Sequence, residues 1–209
     1  MIFYLTTLYI IEHLEEKLYR WCFLEYQHIS KIIGKENLLF TNLKSASQRK
    51  KLRPFGYIES KSVRQLASLK KSKSLYNLSK SCILDPFAKT VLTPQDSQKF
   101  NTFIFGGILG NYPMQARTKK EITSKMKLPA RNIGKAQMTT DNAFYVVKEI
   151  AENGKKLEDL KFQEELVIPF KSGKGINEEM IIPFRYVLVN HKPLISKELL
   201  RYIKKKKGF

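Results

Sequence analysis

The strongest constraint on the fold is a repeated alternation of short apolar runs with segments that carry helix-start signals. Apolar runs of about four to eight residues, bounded by turn residues, are typical of buried strands. The predicted strands are 8–12, 37–43, 82–86, 102–107 and 130–134. The predicted helices span 14–33, begin at Thr93-Pro94, span 118–126 and span 139–154. This alternation predicts an α/β fold with a mostly parallel sheet and helices on both faces.

The pattern changes after Gly154 and divides the chain in two. Residues 8–154 are the predicted α/β domain, and residues 155–209 are a predicted small C-terminal appendage. Within the first domain, a Lys/Ser-rich insert at 44–80 interrupts the alternation, and we expect a surface insertion with one short helix around Val63–Leu69. The appendage is predicted to hold strands at 162–168 and 184–189 and a Ser-capped terminal helix at 196–207.

The net charge of +19 is concentrated in two segments. The insert at 44–80 holds eleven Lys or Arg and one acid, Glu59, which gives +10, and the basic tail at 201–207 adds +5. The rest of the chain therefore carries +4. Two interpretations of these segments remain open: contact with RNA or a ribosome, and a charged surface that faces solvent without a partner. Most of the basic residues are lysines, which act as point charges rather than as the forks that arginine offers to phosphate or guanine.

The two cysteines and three histidines show no metal-ligand spacing, so we expect two buried thiols and no metal site. The opening segment MIFYLTTLYII lacks a basic leader and runs directly into EHLEE. It is also too short to span a bilayer, so we interpret it as a buried first strand and expect a cytoplasmic protein without membrane contact.

Three predicted strand ends carry unusual chemistry. They are Leu84-Asp85-Pro86, the glycine segment Gly106–Gly110 and the polar segment Gly134–Thr140. In open α/β sheets, ligands bind beyond the carboxyl ends of the strands. The glycine segment reads GGxxG, which is neither a dinucleotide fingerprint nor a P-loop. Taken alone, it fits a glycine-rich turn as well as a backbone that approaches a ligand closely.

A family resemblance bears on this choice. YIIEHLEE (9–16), LEY (24–26), ENLLFTNL (36–43), CILDP (82–86), FGGILGNYP (105–113), QMTTDNA (137–143), DLKF (159–162) and PFRYVL (183–188) occur in this order. In these segments the chain resembles the SPOUT-class protein arginine methyltransferases of eukaryotes, which modify a small-subunit ribosomal protein and are also described as SAM-dependent RNA methyltransferases. The resemblance covers Tyr9 to about Lys204 apart from the insert. It implies a trefoil-knotted SPOUT fold that binds S-adenosyl-L-methionine (SAM) in three loops at the knot.

The resemblance also implies the residues of the site. Its cofactor-binding residues would be Leu84, Asp85, Pro86, Phe105, Gly106, Gly107, Leu109, Gly110, Gln137, Met138, Thr139 and Thr140. On this assignment a Gly107→Val substitution should fill the cofactor pocket and leave much of the fold intact.

Methylation of arginine needs a carboxylate, because a guanidinium stays protonated and has no free lone pair. We assign Glu12 and Asp141 as catalytic, since Glu12 leaves the first strand at the ligand edge and Asp141 lies in a cofactor-facing segment. Glu15 and Arg185 are assigned to substrate binding. Each of these four residues also has a purely structural interpretation. The three carboxylates can be acids at the start of a helix, and Arg185 can be an ordinary strand residue.

Three functions remain open on the sequence. The first is methylation of an arginine in a small-subunit ribosomal protein, by an enzyme expected to be monomeric. The second is methylation of rRNA or tRNA, which the basic insert and tail would suit by contacting rRNA. The third is a binding protein without turnover, which the intact GGILG and QMTTD segments disfavour.

Overall fold

A computed structural model describes residues 7–69, 76, 78–171 and 177–206. Its main sheet has six strands in the order β3-β2-β1-β5-β4-β6. They are β1 (Leu8–His13), β2 (Leu38–Thr41), β3 (Tyr57–Ile58), β4 (Ser81–Leu84), β5 (Thr102–Gly107) and β6 (Ala130–Arg131). Every neighbouring pair is parallel. The predicted α/β fold with a mostly parallel sheet is confirmed.

Six helices accompany the sheet in the described residues. They are α1 (Arg20–Ile33), α2 (Ala46–Leu52), α3 (Val63–Ala67), α4 (Arg117–Glu121), α5 (Thr140–Ala151) and α6 (Lys197–Lys206). The strands are apolar on both faces because both faces are covered. On one face, α1 and α5 bury Tyr9, Ile11, Phe40, Phe103 and Phe105.

The predicted helix at 14–33 begins six residues late, at Arg20. The backbone N–H of Leu14 donates to the carbonyl of Gly107 at 3.1 Å, so the chain continues the pairing of β1 with β5 beyond His13. The helix start predicted at Thr93 is a 3-10 turn, Pro94–Gln98, in which Thr93 and Asp96 form the expected capping box. The helix predicted at 118–126 is α4, which spans Arg117–Glu121. Its N-cap is Ala116, without a side-chain cap hydrogen bond, and Thr118 lies inside the helix.

The insert is more than a surface insertion. It contributes β3 at one edge of the sheet and α3, which agrees with the short helix predicted around Val63–Leu69. Val63 and Leu66 are buried against Ile10, Leu39 and Ile104 on the second face of the sheet. Side chains alternate between the two faces along a strand. Even-numbered residues of β1 therefore face the insert, and odd-numbered ones face α1 and α5.

The appendage packs on the outer side of α1. It contains β7 (Phe162–Gln163), β8 (Leu166–Lys171), β9 (Asn177–Ile182), β10 (Tyr186–Val189), β11 (Lys192–Pro193) and α6. Trp21 and Leu24 of α1 join Ile182, Phe184 and Tyr186 in its core. Ser196 caps α6 as predicted, since its Oγ accepts from the N–H of Leu199 at 3.1 Å. Within the described ranges, no helix is both long and apolar enough to cross a membrane.

Candidate active site

A cleft opens where the carboxyl ends of β5, β4 and β6 meet, three strands that are neighbours in the sheet. It encloses about 930 Å³, its open mouth included. Ten of the residues assigned to the cofactor from the sequence line it: Leu84, Asp85, Pro86, Phe105, Gly106, Gly110, Gln137, Met138, Thr139 and Thr140. The three strand-end segments therefore converge, as parallel strands require.

The segment after β5 forms one wall of the cleft. A β-carbon added at Gly110 would lie 2.8 Å from Gln137 Nε2 and 2.8 Å from the ring of Phe184. At Gly106 it would lie 2.8 Å from the Thr118 hydroxyl. Side chains from three other segments thus approach the bare backbone of this loop. The Phe105 ring, stacked on Phe144 at 3.8 Å between centroids, continues the wall as an apolar surface.

The segment after β4 is a turn shaped by Asp85. One carboxylate oxygen accepts from the backbone N–H of Phe87 at 2.9 Å, and the other accepts from the Thr123 hydroxyl at 2.7 Å. Asp85 is buried and fully engaged in this turn. Leu84 and Pro86 consequently hold fixed positions at the cleft wall.

The third segment, Asn132–Thr140, is held by the appendage. The N–H of Arg185 donates to the carbonyl of Gln137 at 2.8 Å, and Met138 pairs with Arg185 in a parallel bridge. Phe184 then reaches the cleft as part of its lining. The side-chain oxygen Oε1 of Gln137 is buried without a hydrogen-bond donor. A buried acceptor of this kind is costly unless a ligand supplies the donor.

Glu25 is the carboxylate that the sequence reasoning missed. It lies on α1, is 3% exposed and lines the cleft. Trp21 and Thr140 hydrogen-bond to it, Thr140 with both its side chain and its backbone. Burial, and then the nearby charge of Asp141, raise the pKa of Glu25 to about 8. The signal was present in the sequence, because Glu25 falls on the buried stripe of α1, four residues after Trp21 and three after Cys22.

Asp141 lies behind Glu25 rather than in the cleft lining. Its carboxylate contacts His28 Nδ1 at 2.7 Å and accepts from the Thr139 hydroxyl, also at 2.7 Å. The side chain is 1% exposed. The position at the amino end of α5 stabilises a negative charge there. Asp141 therefore orders the segment around Thr139 and Glu25, and the structure does not bring it to the open cleft.

Glu12 is not part of the cleft lining, which corrects its assignment as a catalytic residue. It shares the strand face of Ile10, so its side chain points toward the insert. Its carboxylate accepts from the Thr41 hydroxyl and from the backbone N–H of Val63 at 2.9 Å. Burial raises its pKa. Glu12 holds the amino end of α3 against the sheet.

Glu15 braces the glycine segment from outside. It accepts from the backbone N–H of Leu109 at 2.9 Å and from Arg117 Nη1 at 2.6 Å. Leu109 is thereby turned to Glu15 and does not line the cleft, contrary to its assignment. Arg117 does line the cleft, so Glu15 acts on the site through two neighbours.

Gly107 also lies outside the cleft lining. A β-carbon there would collide with the Tyr26 hydroxyl and come 2.8 Å from Ile11. The open side of Gly107 therefore faces the packed layer between β5 and α1. The expectation that Gly107→Val fills the cofactor pocket is corrected: the substitution overfills the core.

Arg185 pairs with an acid of the appendage itself. Its guanidinium donates to Glu164 at 2.8 and 3.0 Å and lies over the ring of Phe162. The docking of the appendage onto the cleft uses the Arg185 backbone instead. The Arg185 guanidinium, which we assigned to substrate binding, is therefore already engaged in a partly exposed ion pair.

The cleft fits the adenosyl-type cofactor that the family resemblance implies. Its walls are apolar at Leu84, Phe105, Ile133 and Met138, and polar side chains also line it, Gln137 among them. The buried Gln137 Oε1 offers an acceptor to an amino group of a ligand. Among the described residues, no group of three or more His, Cys, Asp or Glu side chains could hold a metal ion.

Comparison with known proteins agrees with this geometry. The chain is 36% identical over 205 residues to protein arginine N-methyltransferase SFM1 of Saccharomyces cerevisiae, with 94% of each protein covered. The crystal structure of yeast SFM1 complexed with SAM superposes with a TM-score of 0.84 at 35% identity, over 96% of this chain and 91% of that one. The yeast enzyme has also been solved with SAH and with MTA. Trm10 from Thermococcus kodakaraensis matches with a TM-score of 0.57 at 16% identity, over 73% of this chain and 96% of that one, which shows a shared fold.

The sheet order, the cleft at its carboxyl edge and these matches define a methyltransferase of the SPOUT class. The family model for "Protein arginine N-methyltransferase SFM1-like" proteins matches residues 8–208. The chain belongs to this family of SFM1-like protein arginine N-methyltransferases.

Proposed function

We propose that this protein transfers the methyl group of SAM to an arginine side chain of a small-subunit ribosomal protein, as a monomer in the cytoplasm. The observation that carries the proposal is a buried carboxylate, Glu25, at the wall of a cleft whose other walls suit an adenosyl ligand. Family membership supports the choice of arginine. We retain the boundaries of an α/β domain at 8–154 and an appendage at 155–209, and the trefoil knot stays a prediction.

When bound, SAM supplies an electrophilic methyl group on a sulfonium. The apolar wall formed by Leu84, Phe105 and Met138 would hold the adenosyl part, and Gln137 Oε1 would accept a hydrogen bond from it. Glycine at position 110 keeps Gln137 and Phe184 in place at the cleft wall, since a β-carbon there would collide with both. Holding the reactants in line accounts for a large part of the rate in such displacements.

Glu25 has the role of binding the guanidinium and taking its proton. The arriving cation favours the carboxylate form of Glu25, so substrate binding releases the proton that the free enzyme holds. As the new N–C bond forms and the S–C bond breaks with its electron pair on sulfur, one N–H proton passes to the carboxylate. Trp21 and Thr140 fix the orientation of Glu25, and Asp141 with His28 supports Thr139 beside it.

The test follows the methyl group. Recombinant protein is incubated with SAM labelled in the methyl group and with purified small ribosomal subunits. We expect label in a small-subunit protein that survives ribonuclease, and acid hydrolysis should release methylarginine. Label that ribonuclease removes would instead establish methylation of rRNA, which belongs to the second candidate function and which the net charge of +19 favours. Light scattering during gel filtration tests the monomer.

A further inference from the structure

One face of the molecule is formed by α2, α1 and α6. The three helices are linked side by side. The 3-10 turn Arg53–Phe55, which follows α2, contacts α1 through Phe55 and Phe23, whose rings are 5.8 Å apart. On the other side of α1, Lys31 pairs with Glu198 of α6 at 3.5 Å. We call this surface the basic face.

The basic face carries far more positive than negative charge. Eleven exposed Lys and Arg side chains lie on these helices and the turns after α1 and α2: Arg20, Lys31, Lys35, Lys50, Lys51, Arg53, Lys197, Arg201, Lys204, Lys205 and Lys206. The exposed acids on the same elements are Glu36 and Glu198, and Glu198 is already paired with Lys31. A surface of this kind attracts a polyanion.

The charges of α6 are arranged as a stripe. Lys197, Arg201, Lys204 and Lys205 follow helical spacing on one side, opposite the buried Leu199 and Ile203. The apolar side of α6 packs into the core with Trp21 and Tyr186, so it is not available to insert into a lipid surface. The stripe therefore faces a partner that offers charge rather than apolar contact.

A groove at the edge of the sheet adds an aromatic platform. It is lined by Lys35, Glu36, Arg53, Pro54, Gly56, Tyr57 and Ile58. Tyr57 of β3 is 53% exposed in this groove. An exposed aromatic ring beside two cations is the arrangement that stacks one base and pairs with its neighbouring phosphates in single-stranded nucleic acids. An acidic peptide has no group that would use the tyrosine ring in this way.

We propose that the basic face binds single-stranded RNA, with one base stacked on Tyr57 and the phosphate chain running toward the α6 stripe. The choice of RNA over DNA rests on the proposed function, in which the substrate is a ribosomal protein. An isolated ribosomal protein rich in lysine and arginine would be repelled by a chain of charge +19. Bound to RNA, the same protein is attracted, so the enzyme meets its arginine in a ribonucleoprotein.

Binding is measured by fluorescence anisotropy across a salt series. The probe is a labelled uridine oligomer of about 12 nucleotides, which is within the site sizes of such surfaces. The triple variant Lys197→Gln/Arg201→Gln/Lys204→Gln should weaken binding about 10- to 100-fold near 0.1 M salt, and it should reduce the slope of log K against log salt by about 2. Tyr57→Ala should weaken binding roughly 5- to 150-fold, and Tyr57→Phe should restore it.

The matched control replaces three lysines at the opposite edge of the sheet with an uncharged residue. Lys89, Lys99 and Lys127 are exposed there, near β4 and β6, and their replacement by Gln should change affinity less than about threefold. Equal weakening by the control triple would overturn the proposal, because binding would then follow net charge alone. Equal displacement of the oligomer by polyglutamate of the same length would overturn the choice of RNA. The assay involves no methyl transfer, so its outcome is independent of the methylation test.

Discussion

The sharpest test of the active site is Glu25→Gln, which removes the charge of the buried carboxylate and keeps its shape. Glutamine keeps the size of the side chain and one acceptor oxygen for the donors on Trp21 and Thr140, so we expect the fold to be retained. Loss of a group that takes a proton in the transition state lowers kcat by about 10²- to 10⁴-fold. The affinity for SAM, measured by calorimetry, should change less than tenfold (~1 kcal/mol), which separates loss of chemistry from loss of the cleft.

The pH dependence provides a second readout of the same residue. Because the pKa of Glu25 is raised to about 8 in the folded protein from 4.5, folding favours the protonated acid. Its contribution to stability is fully present below about pH 4.5 and is lost as pH rises toward 8, with the slope that proton linkage requires. The difference between about 8 and 4.5, at about 1.4 kcal/mol per pKa unit, sets an upper bound of about 5 kcal/mol.

Two curves therefore distinguish the variant from the natural sequence. The melting temperature of the natural protein should fall more between pH 5 and pH 8 (roughly the titration window of Glu25) than that of Glu25→Gln. For methyl transfer, kcat/KM of the natural protein should rise with pH up to about 8, as Glu25 loses its proton in the free enzyme.

Glu12→Gln is the matched control, since Glu12 is also a buried carboxylate with a raised pKa but points to the insert and does not line the cleft. If Glu12→Gln lost turnover while Glu25→Gln retained it within about fivefold (~1 kcal/mol), the assignment of Glu25 would be refuted.

Three further substitutions test the packing under β5, the wall of the cleft and the docking of the appendage. Gly107→Ala should destabilise the fold by about 1–3 kcal/mol in chemical denaturation, because its β-carbon meets the Tyr26 hydroxyl within the packed layer; an unchanged midpoint would contradict this packing. Gly110→Val should weaken SAM binding by at least tenfold (~1.4 kcal/mol), because its new atoms meet Gln137 and the buried ring of Phe184 at the cleft wall and displace them; retained affinity would place the ligand elsewhere. The Asn142 side chain accepts from the N–H of Val187 and donates to the Leu194 carbonyl. Asn142→Ala should therefore free the appendage and expose β10 to hydrogen exchange. Unchanged protection of Val187 would show that this side chain does not hold the appendage.

The apolar runs of the sequence predicted five of the six strands of the main sheet, all except β3. β5 was predicted with the same bounds that the structure has, 102–107. Ser196 and Thr93 cap as expected, because capping depends on residues within three positions of each other. The convergence of three strand ends also follows from the sequence, since parallel strands end on the same edge of a sheet.

The role of the insert could not be read from its composition. Lysine and serine dominate the stretch, and the two apolar side chains that matter, Val63 and Leu66, form a signal too short for any periodicity test. Their burial depends on an open sheet face that the rest of the chain creates.

The sequence by itself determined the parallel α/β architecture, the glycine and threonine segments at the cleft and, through resemblance, the family. The tertiary structure decided which carboxylate faces the cleft. Glu12 and Glu25 are equally acidic in sequence, but strand alternation turns Glu12 toward the insert, while the pitch of α1 turns Glu25 toward the segment before α5. Local pattern fixes the position of a side chain on its own element, and only packing between elements fixes what that side chain meets.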